Sequence, residues 1–184
     1  MNISRNEALA LLHEYVQSES LRRHCLAVEA AMRAYAKKYN EDADEWGICG
    51  LLHDFDFEKY PSVPSHPIEG SKILREKGYP ENIITAILGH ASHTDTPRES
   101  QMAKCLFAVD ELCGFLTALA HIRPDNFSGM SVASVEKNLK KKGFAAKINR
   151  GEIDRGIEEL GVPRAEHIEL TIKALQGVFK ELGF

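Results

Sequence analysis

The stretch GLLHDFDF, residues 50–57, sets a histidine and an aspartate side by side at the end of an apolar run. Charged and half-charged groups are seldom fully buried without a partner, so His53 and Asp54 must have one. In SLRRHCLAVEAAMRAYAKKY, residues 20–39, His24 comes three residues after Leu21 and four before Val28, which turns it onto the apolar stripe of a helix. In ADEWGICGLLHD, residues 43–54, His53 follows Trp46, Cys49 and Gly50 and also faces inward. Asp54 shares a face with Gly47, Gly50 and Leu51, and those glycines would let another backbone come close. In AKCLFAVDELCGFL, residues 103–116, Leu106, Phe107, Cys113 and Gly114 flank Asp110, a carboxylate in an apolar stripe.

Taken singly, each has an ordinary structural role: a core histidine bonded to a neighbour, an inward aspartate capping a helix or pairing with a cation. Taken together, two imidazoles and two carboxylates point inward from three helices whose apolar stripes carry no obvious Lys or Arg partner. Unpaired ionised carboxylates there would each be costly. A divalent cation resolves the conflict, because imidazole nitrogen and carboxylate oxygen suit Mn, Fe, Ni, Co or Zn.

The elements that must position these groups are helices. Apolar residues recur with a period near 3.6 almost throughout, and alternating β-branched runs are missing, so the chain reads as all-α. Oxygen caps with a carboxylate three residues on mark helix starts at Ser4, Asp42, Thr96 and Asn149, and Pro67, Pro80 and Pro163 suit first helical positions. Nine helices are expected, over about 4–18, 20–39, 43–53, 67–78, 80–91, 97–121, 131–142, 150–161 and 163–182. Loops rich in Pro, Ser and Gly fall at 60–66 and 122–130.

With 184 residues, 43% hydrophobic and 27% charged, the chain has the size and balance of one globular domain rather than of a disordered or fibrous chain. A formal charge of −4 points to no nucleic acid polymer as partner. No apolar stretch suggests a membrane span and no signal-peptide layout opens the sequence, which makes the cytoplasm the expected location. Cys25, Cys49, Cys105 and Cys113 lie in helical patterns without a C-x-x-C pair, and read as reduced core thiols.

The ordered set His24, His53-Asp54, Asp110 in an all-helical chain resembles the HD superfamily of metal-dependent phosphohydrolases. HPIEG at 66–70 and AILGH at 86–90 are similar to the HP-x-x-G and I-x-x-H elements of HDIG-related members. VDELCGFLTALAHIRP, 109–124, and FAAKINR, 144–150, resemble segments of small stand-alone bacterial HD proteins. The resemblance covers roughly residues 20–150. It implies a single HD domain over 1–184, a compact multi-helix bundle with its core at about 20–125 and a C-terminal helical extension at about 131–184.

By position, the resemblance makes His24, His53, Asp54 and Asp110 ligands of a first metal, and Asp54 a bridge to a second held by His66 and His90. His66 also reads as a residue of a helix-capping loop, and His93 as either a substitute for His90 or a surface histidine. One or two ions are implied, Fe or Mn ahead of Zn, Ni, Co or Mg. Where many HDIG members have Gly-Lys, this chain has Asp56-Phe57. Phe57 cannot move a proton; Asp56, Glu58 and Lys59, close to Asp54 in sequence, are candidates for a general acid or base, with no one of them assigned.

A bound divalent ion acidifies water and neutralises phosphoryl oxygens, which makes phosphate ester hydrolysis the natural reaction. Lys137, Lys140, Lys141, Lys142, Lys147 and Arg150 form a run without an acid. Such a run is ordinarily a solvated face, but Lys140 and Arg150 are candidate phosphate contacts, together with Arg123 after the Asp110 helix. The expected substrate is a small phosphorylated molecule, a nucleotide ahead of other esters. The alternative is a non-catalytic sensor or scaffold domain that binds metal and nucleotide.

Overall fold

A computed structural model describes residues 3–184. The helices are α1 (Arg5–Tyr15), α2 (Glu19–Tyr39), α3 (Ala43–Leu52), α4 (Ser65–Glu76), α5 (Glu81–His90), α6 (Gln101–His121), α7 (Val132–Leu139), α8 (Arg150–Leu160) and α9 (Arg164–Gly177), with a 3-10 turn at Ser92–Thr94. No strand occurs among the described residues, so the fold is all-α. No helix among them is long and apolar enough to cross a membrane.

Caps read from sequence explain several starts. Ser4 Oγ accepts from Glu7 N and Glu7 answers at Ser4 N, a reciprocal capping box. Asp42 caps α3 and Asn149 caps α8 through their side chains. Thr96 does not start α6: the helix begins at Gln101, capped by Ser100 Oγ on Ala103 N. The intervening Arg98 is instead drawn into a bidentate pair with Glu159 and a bond to Gly89 O, which holds residues 96–100 out of helix. Pro67 lies within a kink of α4, where His66 is extended (φ −80°, ψ 137°). Pro80 and Pro163 stand one residue earlier than expected, at the caps of α5 and α9.

The long helices α2 and α6 cross at the centre, with α3 against α2, α5 and α8 against α6, and α9 across both. Two glycines permit the closest approaches. A Cβ on Gly50 would lie 2.9 Å from Val28 O, and one on Gly156 would lie 2.7 Å from Ala108 Cα, so α3 and α8 dock directly on the backbones of α2 and α6. One apolar core runs from Leu12 through Val28, Leu51, Leu106 and Phe115 to Ile157 and Ile172. All four cysteines are buried and free.

Candidate metal centre

The docking of α3 on α2 at Gly50 brings His53 and His24 together, with Nε2 atoms 3.2 Å apart. α6 contributes Asp110, whose Oδ1 is 3.0 Å from His24 Nε2 and 3.5 Å from His53 Nε2. Asp54, just past the end of α3, lies between two groups of donors. Its Oδ2 is 3.9 Å from His24 Nε2 and 3.5 Å from His53 Nε2. Its Oδ1 is 3.1 Å from His66 Nε2 and 3.4 Å from His90 Nε2. Every ion pair that Asp54 and Asp110 make among the described residues is with a histidine.

The outer nitrogens decide what the inner ones can do. His53 Nδ1 bonds Gly50 O at 2.8 Å, His66 Nδ1 bonds Asp56 Oδ1 at 2.7 Å, and His90 Nδ1 bonds Ile87 O. A carbonyl or carboxylate acceptor needs a proton on Nδ1, so in the neutral rings each Nε2 presents a lone pair to the cluster. Lone pairs and two carboxylates then converge with no cation from the chain. This donor set fits one or two divalent metals: His24, His53 and Asp54 form one possible ligand group and Asp54, His66 and His90 another.

The electrostatics express the same demand for positive charge. Burial opposes charge on each group, yet the facing histidines hold Asp54 and Asp110 well below the usual carboxylate range. Against that same burial, the facing carboxylates hold His53 and His66 up at about 9. A divalent cation held among these groups would meet the same demand for positive charge in place of protons.

Several of the expected residues are engaged elsewhere in the structure. Asp56 is fully buried and both its oxygens are engaged, one by His66 Nδ1 and the other by Gly70 N at 2.8 Å; it orients a histidine and has no access to substrate. Gly70 is required there, because a Cβ would sit 2.6 Å from the Asp56 carboxylate. Lys59 lies over the Tyr15 ring, its Nζ 4.2 Å from the centroid. Arg150 donates to the carbonyls of Leu139, Lys141, Phe144, Ala145 and Ile148, so its guanidinium clasps the α7–α8 loop and is not free for phosphate. Arg123 bonds Asp125 and Asn126 O within its own turn, beyond the far end of α6, roughly 16 Å of helix from Asp110.

Other expected residues take varied positions. Glu58 faces a cavity of about 700 Å³ that His24 also lines. Lys140 is exposed at the end of α7, outside that cavity's wall. His93 Nε2 donates to His66 O at 2.8 Å and so supports a neighbour of Asp54 instead of replacing His90. Two further residues near the cluster are not singled out by the sequence, Lys147 within its basic run and Glu111. Lys147 lines the cavity, delivered by the loop that Arg150 closes. Glu111, next to Asp110, is pushed up to about 7 by burial and by that neighbouring carboxylate; its adjacency to Asp110 was the available signal.

The fold and this cluster define a helical domain whose inward histidines and aspartates could hold a divalent metal. The HD domain family model matches residues 21–114, half of the chain; the chain belongs to the HD domain family, within the superfamily of metal-dependent phosphohydrolases. A tRNA (cytidine(56)-2'-O)-methyltransferase of Thermoplasma volcanium is 30% identical over 82 residues, 45% of this chain and 24% of that protein. The chain thus spans about a quarter of that relative's length. No solved structure matches the chain.

Proposed function

We propose that the protein hydrolyses a phosphate ester of a small molecule, a nucleotide ahead of other esters, at a centre of two divalent metals. The observation that carries the reading is the division of Asp54 between two histidine pairs, Oδ2 toward His24 and His53 and Oδ1 toward His66 and His90. His24, His53, Asp54 and Asp110 would hold one ion, and Asp54, His66 and His90 the other, with Fe or Mn ahead of Zn. Ions held there supply Lewis acidity toward phosphoryl oxygen and a water of lowered pKa. The chain's own part is to fix the ligand nitrogens through Gly50 O, Asp56 and Ile87 O, and to open one side of the cluster to the cavity at His24. The methyl transfer named for the Thermoplasma volcanium protein is not carried over, since the match covers a quarter of it.

Phosphate release from a panel of nucleotides and small esters, with Mn, Fe or Co added to chelator-treated protein, tests this reading. Metal-dependent release is expected, and its absence with every metal would defeat it. A second reading, a metal- and nucleotide-binding sensor without turnover, draws support from Asp56 and Lys59 being engaged away from the cavity. It predicts ligand-induced stabilisation with no phosphate released.

A further inference from the structure

The cavity beside His24 is lined by an exposed aromatic ring, a lysine and a carboxylate. Phe57, 43% exposed, forms an apolar shelf with Leu21 and Ile148, and its ring stands edge-on to His66 at 5.2 Å between centroids. The shelf therefore starts at the metal cluster and leads away from it. Lys147 and Glu58 also line the cavity, one cation and one carboxylate. Glu58 Oε2 accepts from Gln17 N and Ser18 N, at 2.8 and 3.0 Å, so backbone amides hold the carboxylate in place as part of the wall. Lys147 is exposed, and its loop is closed by the five carbonyl bonds of Arg150.

Resting on the phosphohydrolase reading above, we propose that this cavity takes the uncharged, flat, hydroxyl-bearing part of a nucleoside monophosphate and rejects a nucleoside polyphosphate. A single phosphate lies at His24 and the metal cluster with Lys147 beside it. The base lies on Phe57, an arrangement that tolerates any base because stacking needs only a π face. A ribose hydroxyl donates to the Glu58 carboxylate. A second phosphate would meet that fixed carboxylate instead, and like charges without a cation between them repel. The volume of about 700 Å³ lies in the range usual for small-ligand sites.

Calorimetric titration of the Mn-loaded full chain tests this without depending on turnover. The probes are inorganic phosphate, a hydrolysis-resistant phosphonate analogue of AMP, and α,β-methylene-ADP. The AMP analogue should bind at least about ten-fold more tightly than either of the others. Phe57→Ala should bring it to within about three-fold of phosphate, Glu58→Gln should close the gap to the ADP analogue, and Lys147→Ala should weaken all three to a similar extent. Mn content per chain, measured on each variant, shows whether the cluster is intact. Equal binding of the AMP and ADP analogues by the wild type, or a ratio unmoved in Glu58→Gln with Mn retained, overturns the proposal. If phosphate and both analogues bind alike, this proposal falls while phosphate recognition at the metal stands; if none binds although Mn is held, both fall.

Discussion

His66 Nδ1 stands 2.7 Å from Asp56 Oδ1, and the other oxygen of Asp56 accepts Gly70 N. That buried contact turns His66 Nε2 toward Asp54, so a residue two places after the HD pair acts on a histidine rather than on a substrate. It also accounts for the HP-x-x-G element: the glycine's amide completes the carboxylate's bonding, and its missing Cβ leaves room for it.

Asp56→Ala should lower metal affinity by about 10–100-fold. It should also destabilise the protein by roughly 2–4 kcal/mol, because two buried N–H donors lose their acceptor. Metal titration and urea unfolding read the two effects. Turnover lost in Asp56→Asn with metal content and affinity unchanged would restore Asp56 as a proton-transfer group.

Asp54→Ala should abolish hydrolysis and cut metal content to about a tenth or less, since both histidine pairs lose their shared carboxylate. The fold should survive, because Asp54 is part-buried and removing its carboxylate also removes its desolvation cost. Elemental analysis and a melting curve decide; a variant with full metal content would remove Asp54 from the ligand set.

Gly50→Ala places a Cβ 2.9 Å from Val28 O and 3.0 Å from Glu29 N. Backbone cannot yield as a flexible side chain does, so α3 should shift off α2 at a cost of about 1–3 kcal/mol. The same shift separates His53 from His24, and metal binding should weaken with stability. Unchanged stability and metal affinity together would show that the approach at Gly50 does not set the site.

Arg150→Ala should loosen residues 139–148 and raise KM, by about ten-fold if Lys147 is displaced by even half an ångström or so, with metal content unchanged. Arg123→Ala should leave kinetics as they are, because its guanidinium serves its own turn. A change in KM for Arg123→Ala would reinstate Arg123 as a phosphate contact, and a silent Arg150→Ala would show that its loop does not place Lys147.

His167 is fully buried, accepts from the Tyr35 hydroxyl at Nδ1 and donates from Nε2 to Ala108 O at 3.0 Å. That pairing suits the neutral ring, and burial holds its pKa down to about 4 against an ordinary 6.5, despite the opposing bond to Ala108. The unfolded chain therefore takes up this proton first as pH falls. The stabilisation is complete above pH 6.5, about 2 kcal/mol of it is gone at pH 5, and roughly 3 kcal/mol below pH 4. Urea unfolding across that range should show a shallower pH slope in His167→Gln than in the wild type; equal slopes would count against the buried neutral ring.

His24, His53, Asp54 and Asp110 were legible in the sequence because helical periodicity alone says which side chains leave solvent, and four polar groups on inward faces demand a common partner. The all-α fold was legible for the same reason, and caps at Ser4, Asp42 and Asn149 depend only on residues within one turn. Thr96 was misread because the competitor for its segment, the Arg98–Glu159 pair, joins residues sixty-one apart in the chain. Asp56, Arg150 and Lys147 could not be assigned from type or spacing. A carboxylate two residues from the HD pair looks catalytic until Gly70 and His66 enclose it, and a basic run looks like a phosphate site until one of its members is seen holding five carbonyls. Local sequence determined which groups face inward. Which atom of each group faces which neighbour depended on hydrogen bonds between segments far apart in sequence, and only the packed structure decides those.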